Sequence, residues 1–538
     1  MIREYLTEHK RNPTDTTILD KLSSALVETR RYNEAAEVLR FRLRLQPDSA
    51  ETHTRLANLY AGFGYSQAAL EHRVRALELE PRNPSYRAWL AVAQWHASDL
   101  DGCLSLCEGL IAEGVASSYL HSFYLTARLH RYGESRESLR QAHEAWQRAH
   151  CANIEASVLH SNSRDPERRL RIGYLAGEFN GGPAFHFVMP LIRAHNHEEF
   201  EIYCYHTRPH DDAVTPEYVN LVDGWREATK LSEAEIHGLI RSDAIDILVD
   251  LSGQYPDHGL RIFKMRPAPV QVSIPNYPCT TGLSDIDYIF TDRWTCPENH
   301  EDQYSERVRR IDSGYFSYLP PSHDWAREDT PPAVRNGYVT LGMFQRPAKT
   351  NPPFWRAVAQ ILDRTPGARL LIHNPDRELD REGSAAQRFF IENLAAHGIG
   401  ADRLLFRGGM PLEEHLACVG SVDMSLDTFP YNGQTTTCDC LLMGVPVVVL
   451  EGATHVSRVG SAILARVGLP SLVAQSVEEY VERAVQLASD VDTLVRYRCS
   501  IPSQFKSSSM TNGLVITRQI ELAYRDIWRQ WCLKEATA

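Results

Sequence analysis

Apolar positions in the first part of the chain recur at helical spacing inside a longer period. Leu22, Leu56 and Leu90 stand 34 residues apart, as do Pro13, Pro47 and Pro81, and the small residues Ala35, Ala69 and Cys103. The blocks LDKLSSALVETRRYNEAAEVLRFRLRLQP and THTRLANLYAGFGYSQAALEHRVRALELEP each read as helix–turn–helix, with turns at Tyr32 and at Gly64-Tyr65. A third block, RAWLAVAQWHASDLDGCLSLCEGLIAEG, is looser, and a fourth, around SYLHSFYLTARLHRYGESRESLRQAHEAW, has lost the period. From about Arg168 the texture changes, and short apolar runs alternate with helical segments, as a parallel sheet with crossover helices requires. In a first set the strand candidates are Arg171–Leu175, Glu201–Tyr205, Ile245–Leu251, Val270–Ile274 and Tyr288–Thr291. In a second set they are Tyr338–Met343, Arg369–His373, Arg403–Phe406, Met424–Leu426 and Val445–Leu450. A Pro-rich stretch without periodicity, from Tyr318-Leu-Pro-Pro-Ser-His to Thr330-Pro-Pro-Ala, separates the sets and reads as a linker. Thr511–Leu533 is a long helical pattern, expected to pack back on the first set.

A 34-residue unit closed by proline is the tetratricopeptide (TPR) signature. The expected architecture is an α-helical TPR solenoid followed by two Rossmann-like α/β lobes. The boundaries drawn are 1–150 for the repeats with a degenerate cap, 151–325 for the first lobe, 326–505 for the second and 506–538 for the helical tail. Two facing doubly wound sheets place a ligand crevice at the carboxyl ends of their strands, and the GT-B glycosyltransferases are built this way. A short solenoid offers a concave face, expected to receive a protein partner, with a packing or homo-oligomer surface as the bland alternative.

Composition narrows the function. The 538 residues carry a formal net charge of −12, which argues against a nucleic-acid partner. No apolar run is long enough to span a membrane, and the charged start MIREYLTEHKRNPTD does not read as a signal segment. Eleven cysteines are scattered without a C-x-x-C, which fits free thiols in a reducing cytoplasm. Asp285-Ile286-Asp287 and Asp490-Val491-Asp492 match a metal-binding triplet that chance supplies often, and no metal is expected.

Four segments fall just after predicted strands, where the crevice lies: Gly173 to His186, Pro275 to Gly282, Met343 to Lys349, and Leu426 to Asp439. The last runs Asp427-Thr-Phe-Pro-Tyr-Asn-Gly-Gln434-Thr435-Thr436-Thr437-Cys438-Asp439 and brings hydroxyls and free N–H groups to a helix N-terminus, an arrangement that favours an anion such as phosphate. Singly, each has an ordinary reading: a turn at Gly-Gly-Pro, a solvated Lys349, a capping threonine, a structural His186.

Together these segments resemble the O-GlcNAc transferase/SPINDLY family of TPR-bearing GT-B glycosyltransferases. The resemblance is carried by Leu170-Arg-Ile-Gly-Tyr174, Ile245-Asp-Ile-Leu-Val249, Arg266-Pro-Ala-Pro-Val-Gln271, Tyr277-Pro278 with Thr280-Thr281-Gly282, and Asp287-Tyr288. In the second lobe it is carried by Phe344 to Lys349, Glu413-Glu414-His415, Leu426-Asp427-Thr428, Asn432-Gly433, Thr435-Thr436, Gly444-Val-Pro446 and Ser457-Arg458-Val459. The resemblance implies inverting, metal-independent transfer from a UDP- or GDP-linked sugar to a protein Ser/Thr hydroxyl, with no cofactor beyond the donor substrate. By similarity Lys349 meets the diphosphate, as do Thr435 and Thr436. Gln345, Arg346, Gln434 and Thr437 complete the nucleotide site, with Asp439 on the ribose and His415 by the base. Asn276, Tyr277, Pro278 and Thr280 line the sugar pocket.

Three positions depart from the family pattern. Gly182 stands where the family's first histidine is usual, Gln434 stands in the place of the histidine of Gly-His-Thr-Thr, and Cys279 stands in the place of the glycine of Tyr-Pro-Gly-Thr. The donor is therefore left open, and O-fucosyl-transferring relatives or relatives acting on flagellin, peptides or small molecules are the alternatives, with a non-catalytic nucleotide-binding adaptor as a further one. For the general base, His186 is preferred because imidazole titrates near neutral pH; Glu178 and Asp246 are the other candidates.

Overall fold

A computed structural model describes residues 1–208, 212–255, 258–274, 276–321 and 327–534. It divides into two compact units. The first comprises Met1–Leu120 with Arg346–Ala348 and Ile372–Met410, and the second comprises His121–Gln345, Lys349–Leu371 and Pro411–Ala538.

The first unit opens with helices α1 (Ile2–Arg11), α2 (Thr16–Glu28), α3 (Tyr32–Leu45), α4 (Ala50–Gly62), α5 (Ser66–Leu79), α6 (Pro84–His96) and α7 (Leu100–Ala112). The repeat is written in the caps as well as the core. Asp15, Ser49 and Asn83, again 34 apart, each accept first-turn N–H groups of α2, α4 and α6 through a side-chain oxygen. Arg30, Gly64 and Ser98 hold the same place in the turn inside each pair, all with positive φ (59°, 77° and 74°). Only the middle repeat uses glycine there, so the other two accept the strain of a left-handed turn. Leu22, Leu56, Ala35 and Ala36 share one buried cluster.

The looser fourth block forms helices α8 (Ser118–Arg128) and α9 (Arg136–His150). From His121 onward this hairpin falls in the second unit. Ser122 Oγ donates to Gln254 Oε1 at 2.8 Å, Gln147 Nε2 donates to Ser284 Oγ at 2.9 Å, and His143 meets Tyr277 at 2.8 Å. The period is lost because these helices are shaped to loops of the α/β region.

The first sheet contains β1 (Leu170–Ala176), β2 (Phe200–His206), β3 (Gly224–Glu227), β4 (Ile247–Asp250), β5 (Val270–Ser273), β6 (Tyr288–Thr291) and β7 (Arg307–Arg310), in the order β3-β2-β1-β4-β5-β6-β7. All its pairings are parallel, with Leu175 opposite Asp250 across the β1–β4 seam. The second sheet contains β8 (Thr340–Met343), β9 (Arg369–His373), β10 (Leu404–Arg407), β11 (Met424–Leu426), β12 (Val447–Leu450) and β13 (Val473–Ala474), in the order β10-β9-β8-β11-β12-β13. Strand order reverses at β1/β4 in one sheet and at β8/β11 in the other, the points where a doubly wound sheet opens a crevice. Each predicted strand is present. The unpredicted ones, β3, β7 and β13, are edges. GWRE and RVRR are partly exposed and carry no apolar run to read, and β13 has only two residues. Residues 322–326 of the expected linker lie outside the described residues.

The tail helix Gly513–Lys534 returns to the first sheet, as its pattern predicts. Tyr524 and Trp528 are fully buried, Tyr524 Oη meets Tyr174 Oη at 3.0 Å, and Glu521 accepts from the Asn196 N–H at 2.7 Å.

Candidate active site

The second-sheet side is organised by a residue with no predicted role, Asp427, directly after β11. Its buried carboxylate accepts the Gly433 N–H at 2.8 Å, the Thr428 N–H at 3.0 Å and the Gln345 amide at 2.9 Å. Two glycines leave room for it. A Cβ on Gly433 would stand 3.0 Å from Oδ1, and one on Gly460 would stand 2.9 Å from Oδ2. Burial pushes the Asp427 carboxyl up, against the Lys349 charge and the N–H donors that hold it down. The turn Thr428–Gly433 is thus folded around a carboxylate, and it delivers the helix Thr435–Leu442 at a fixed place.

At that helix N-terminus Thr437 Oγ1 turns inward to the Gly433 carbonyl (3.0 Å). The Thr435 and Thr436 hydroxyls are half-buried and make no side-chain hydrogen bond among the described residues. Gln434 stands at the N-cap with its amide also uncommitted. Lys349, just after β8, donates from Nζ to the Asn432 carbonyl at 3.1 Å and sits 4.1 Å over the Tyr431 ring. Tyr431 is held in turn by Tyr255 Oη (3.1 Å) and by a stack on His130 (4.4 Å). A cation, two hydroxyls and unpaired N–H groups therefore share one corner, a combination suited to a diphosphate.

Asp439, one turn into the helix, is almost fully buried. Tyr318 Oη donates to its Oδ1 at 2.7 Å, and His415 Nε2 lies 3.3 Å from Oδ2. His186 stacks on the Tyr318 ring at 5.1 Å, and its Nδ1–H donates to the Leu319 carbonyl at 2.8 Å, which leaves Nε2 as the acceptor nitrogen.

Across the crevice the expected sugar-pocket residues divide. Asn276 is half-buried, and its Nδ2 has no partner among the described residues. Pro278 is buried beside it. Tyr277 is fully buried, with its hydroxyl donating to His143 Nε2 at 2.8 Å. The other nitrogen of His143 donates to the Leu139 carbonyl, and burial holds the imidazole neutral, down at about 4. Thr280 donates to the buried Glu306 carboxylate at 2.6 Å. The side chains of Tyr277 and Thr280 thus shape the wall from behind. Gln345 is likewise committed to Asp427. Arg346 belongs to the first unit, where it is exposed and its charge adds to the burial that depresses His96.

Among the base candidates, Asp246 is at the amino end of β4 and is locked to Arg168 (2.5 Å) and Asn162 (2.7 Å), away from the crevice. Asp285 and Asp287 are likewise paired, with Lys264 and Arg266, each at 2.9 Å.

The model of glycosyl transferase family 41 matches residues 135–318 and 336–520. The chain belongs to glycosyltransferase family 41. The "probable UDP-N-acetylglucosamine–peptide N-acetylglucosaminyltransferase SPINDLY" of Solanum lycopersicum is 35% identical over 406 residues, covering 74% of this chain and 42% of that protein. The Arabidopsis thaliana protein SEC, with the same activity in its name, is 29% identical over 379 residues, covering 68% of this chain and 38% of its own length. The chain thus spans about two fifths of the curated relatives it matches. A lysine-to-methionine mutant of the Thermobaculum terrenum O-GlcNAc transferase superposes with a TM-score of 0.87 at 31% identity, covering 97% of this chain and 98% of that one.

Within this family 41 chain, the matched segments hold every corner residue described above except Tyr318's neighbour Leu319 and the hairpin residue His130. Sequence reading finds Lys349 and the threonines because they are contiguous motifs. The roles of Tyr318 and Tyr431 are not legible there because their partners lie far along the chain, and that of Asp427 is not because Gln345 is 82 residues away, although Thr428 and Gly433 are close; an acid placed directly after a buried strand is the one local signal for Asp427.

Proposed function

We propose that this family 41 chain transfers a sugar from a nucleotide-sugar donor to Ser/Thr hydroxyls of a protein, inverting the anomeric centre and needing no metal. The observation that carries the reading is the corner formed by Lys349, Thr435, Thr436 and the N-terminus of the helix Thr435–Leu442. As the bond from the anomeric carbon to the diphosphate breaks, negative charge grows on the departing oxygen. An ammonium and a helix N-terminus aimed there stabilise it without reorganising, as a metal would elsewhere. Asp439 and His415 suit the ribose and the base. Asn276, with an uncommitted amide, suits a sugar hydroxyl, and Tyr277, Pro278 and Thr280 hold that wall in shape. The names of the relatives, which specify a UDP-N-acetylglucosamine donor and a peptide acceptor, support the same reaction class. Gln434 keeps hydrogen-bonding capacity but cannot be cationic, so UDP- and GDP-linked donors both enter the test. The protein acceptor is assigned to the concave face of the repeats and the reaction to the cytoplasm, where unpaired thiols persist.

The deciding experiment is a screen of nucleotide sugars against thermal stability and then against transfer to protein. One nucleotide should raise the melting temperature in proportion to its occupancy, and its sugar conjugate should label protein at the same rate with and without chelator. No shift with any nucleotide, or labelling abolished by chelator, would sink the reading.

A further inference from the structure

The proposed transfer needs a group to take the acceptor proton, and at position 182 there is only glycine. We propose that Glu178 is that group, the catalytic base of this chain, with Asp250 acting behind it as a positioning residue. The inference rests on the transferase reading and adds to it a residue assignment.

Placement is the first argument. Glu178 follows β1 and Ser252 follows β4, the two strands between which the first sheet reverses its order. Ser252 Oγ donates to Glu178 Oε2 at 2.6 Å. The loop that begins at Ser252 reaches Tyr255, whose hydroxyl meets Tyr431, and Tyr431 lies under the Lys349 ammonium. One four-residue loop therefore touches the carboxylate with its first residue and the diphosphate corner with its last.

Bonding is the second argument. Among the described residues Ser252 is the one side chain that hydrogen-bonds Glu178, which enters no ion pair and is half-buried; the Gly177 and Glu178 N–H groups and the Arg208 charge favour its ionised form. Asp250, by contrast, is fully used. It accepts the Ser252 and Gly253 N–H groups at 3.1 Å and the Ser273 hydroxyl at 2.9 Å, which fixes the turn that presents Ser252. The charged groups that bear on Glu178 are Asp250 from β4 and Arg208 beyond β2; Asp212 holds the adjacent Gly181 N–H at 2.9 Å. Burial raises the proton affinity of Glu178 above that of an ordinary glutamate, and Asp250 is pushed up to about 7, chiefly by its own burial. His186 is the less suitable base: its ring is packed flat on Tyr318, the residue bonded to Asp439 on the ribose side.

In the step, the acceptor hydroxyl gives its proton to the Glu178 carboxylate as its oxygen attacks the anomeric carbon. The new C–O bond forms on the face opposite the diphosphate, and the breaking bond's electron pair leaves with the diphosphate toward Lys349 and the helix N-terminus.

The test compares Glu178→Gln and His186→Gln in the full chain, reading nucleotide binding, kcat for protein labelling and its pH profile. Glu178→Gln should bind nucleotide as the wild type does, lose about 10²- to 10⁴-fold in kcat, and lose the acid limb of the profile. His186→Gln should keep that limb. Should Gln upset the fold, Glu178→Asp decides: normal nucleotide binding, a retained acid limb and a large loss of kcat are expected. Near wild-type kcat in Glu178→Gln or Glu178→Asp, or an acid limb that vanishes with His186, overturns the assignment. No transfer by the wild-type chain in the same assay overturns the transferase reading and the assignment with it.

Discussion

Lys349 is placed by three things at once: the segment after β8 that carries it, the Tyr431 ring beneath it and the Asn432 carbonyl that accepts a hydrogen bond from its Nζ. Lys349→Met keeps the stem and removes the charge, so donor turnover should fall by at least about 10²-fold, the scale seen when one preorganised transition-state contact is lost. Steady-state kinetics with an unchanged melting temperature would check it. Gly433 is a stricter position. A methyl group there would press on Thr436 Oγ1 at 2.6 Å, on Thr437 Oγ1 at 2.9 Å and on the Asp427 carboxylate. Gly433→Ala should therefore cost nucleotide affinity by disturbing the helix start, visible as a lost thermal shift, while the glycine-to-histidine change at Gly182 should be tolerated in the fold, since only the end of the Asn180 side chain stands near. Sequence alone shows Lys349 and the threonines, since a short motif carries them. It does not show that Gln345 is spent on Asp427 or Tyr277 on His143, because the partners lie 82 and 134 residues away.

At the scale of elements, the edge strands β3, β7 and β13 escaped the sequence because their contacts, and not their own pattern, decide where they go. The short turn at His455–Ser457 is likewise fixed by its contacts. Its imidazole is buried, with Nδ1 2.9 Å from Tyr304 Oη and Nε2 2.8 Å from Tyr315 Oη. Burial holds His455 down at about 3, below the usual 6.5. The unfolded chain takes up a proton at this position as pH falls below about 6.5, and the folded chain does not until about 3. The stability held here is thus present above that upper value and is lost as pH falls, by up to about 1.4 kcal/mol per pH unit. His455→Gln removes the titration. Its deficit against the wild type, about 1–3 kcal/mol from the lost hydrogen bonds, should shrink between pH 7 and pH 5 in urea melts. A deficit independent of pH would mean that the imidazole is not held neutral.

For the whole molecule, α8 and α9 matter most to how it is dissected. The boundary drawn from sequence counts the block that has lost the period as a cap of the repeats, up to residue 150, yet from His121 the chain contributes Ser122, His143 and Gln147 to the α/β unit. Removing 1–150 should therefore cripple donor hydrolysis as well as protein labelling. Removing only α1–α3 should lower labelling of protein acceptors and spare donor hydrolysis, which a paired assay of the two products would reveal; equal losses would argue against an acceptor surface on the repeats.

Under the proposed function, with the ribose on Asp439, the Tyr318 hydroxyl stands as that ribose's competitor. Asp439 takes the Tyr318 hydroxyl on one oxygen and has His415 beside the other, so a ribose hydroxyl that displaced the tyrosine would do so at a cost on the order of 1 kcal/mol. That tyrosine belongs to the strap against which His186 is stacked. Such a displacement would loosen the ring on which His186 rests, and ligand occupancy would be converted into slack. Tyr318→Phe would arrive with the brace already undone. It should bind nucleotide somewhat more tightly than the wild type, and a nucleotide without ribose hydroxyls should not feel the difference.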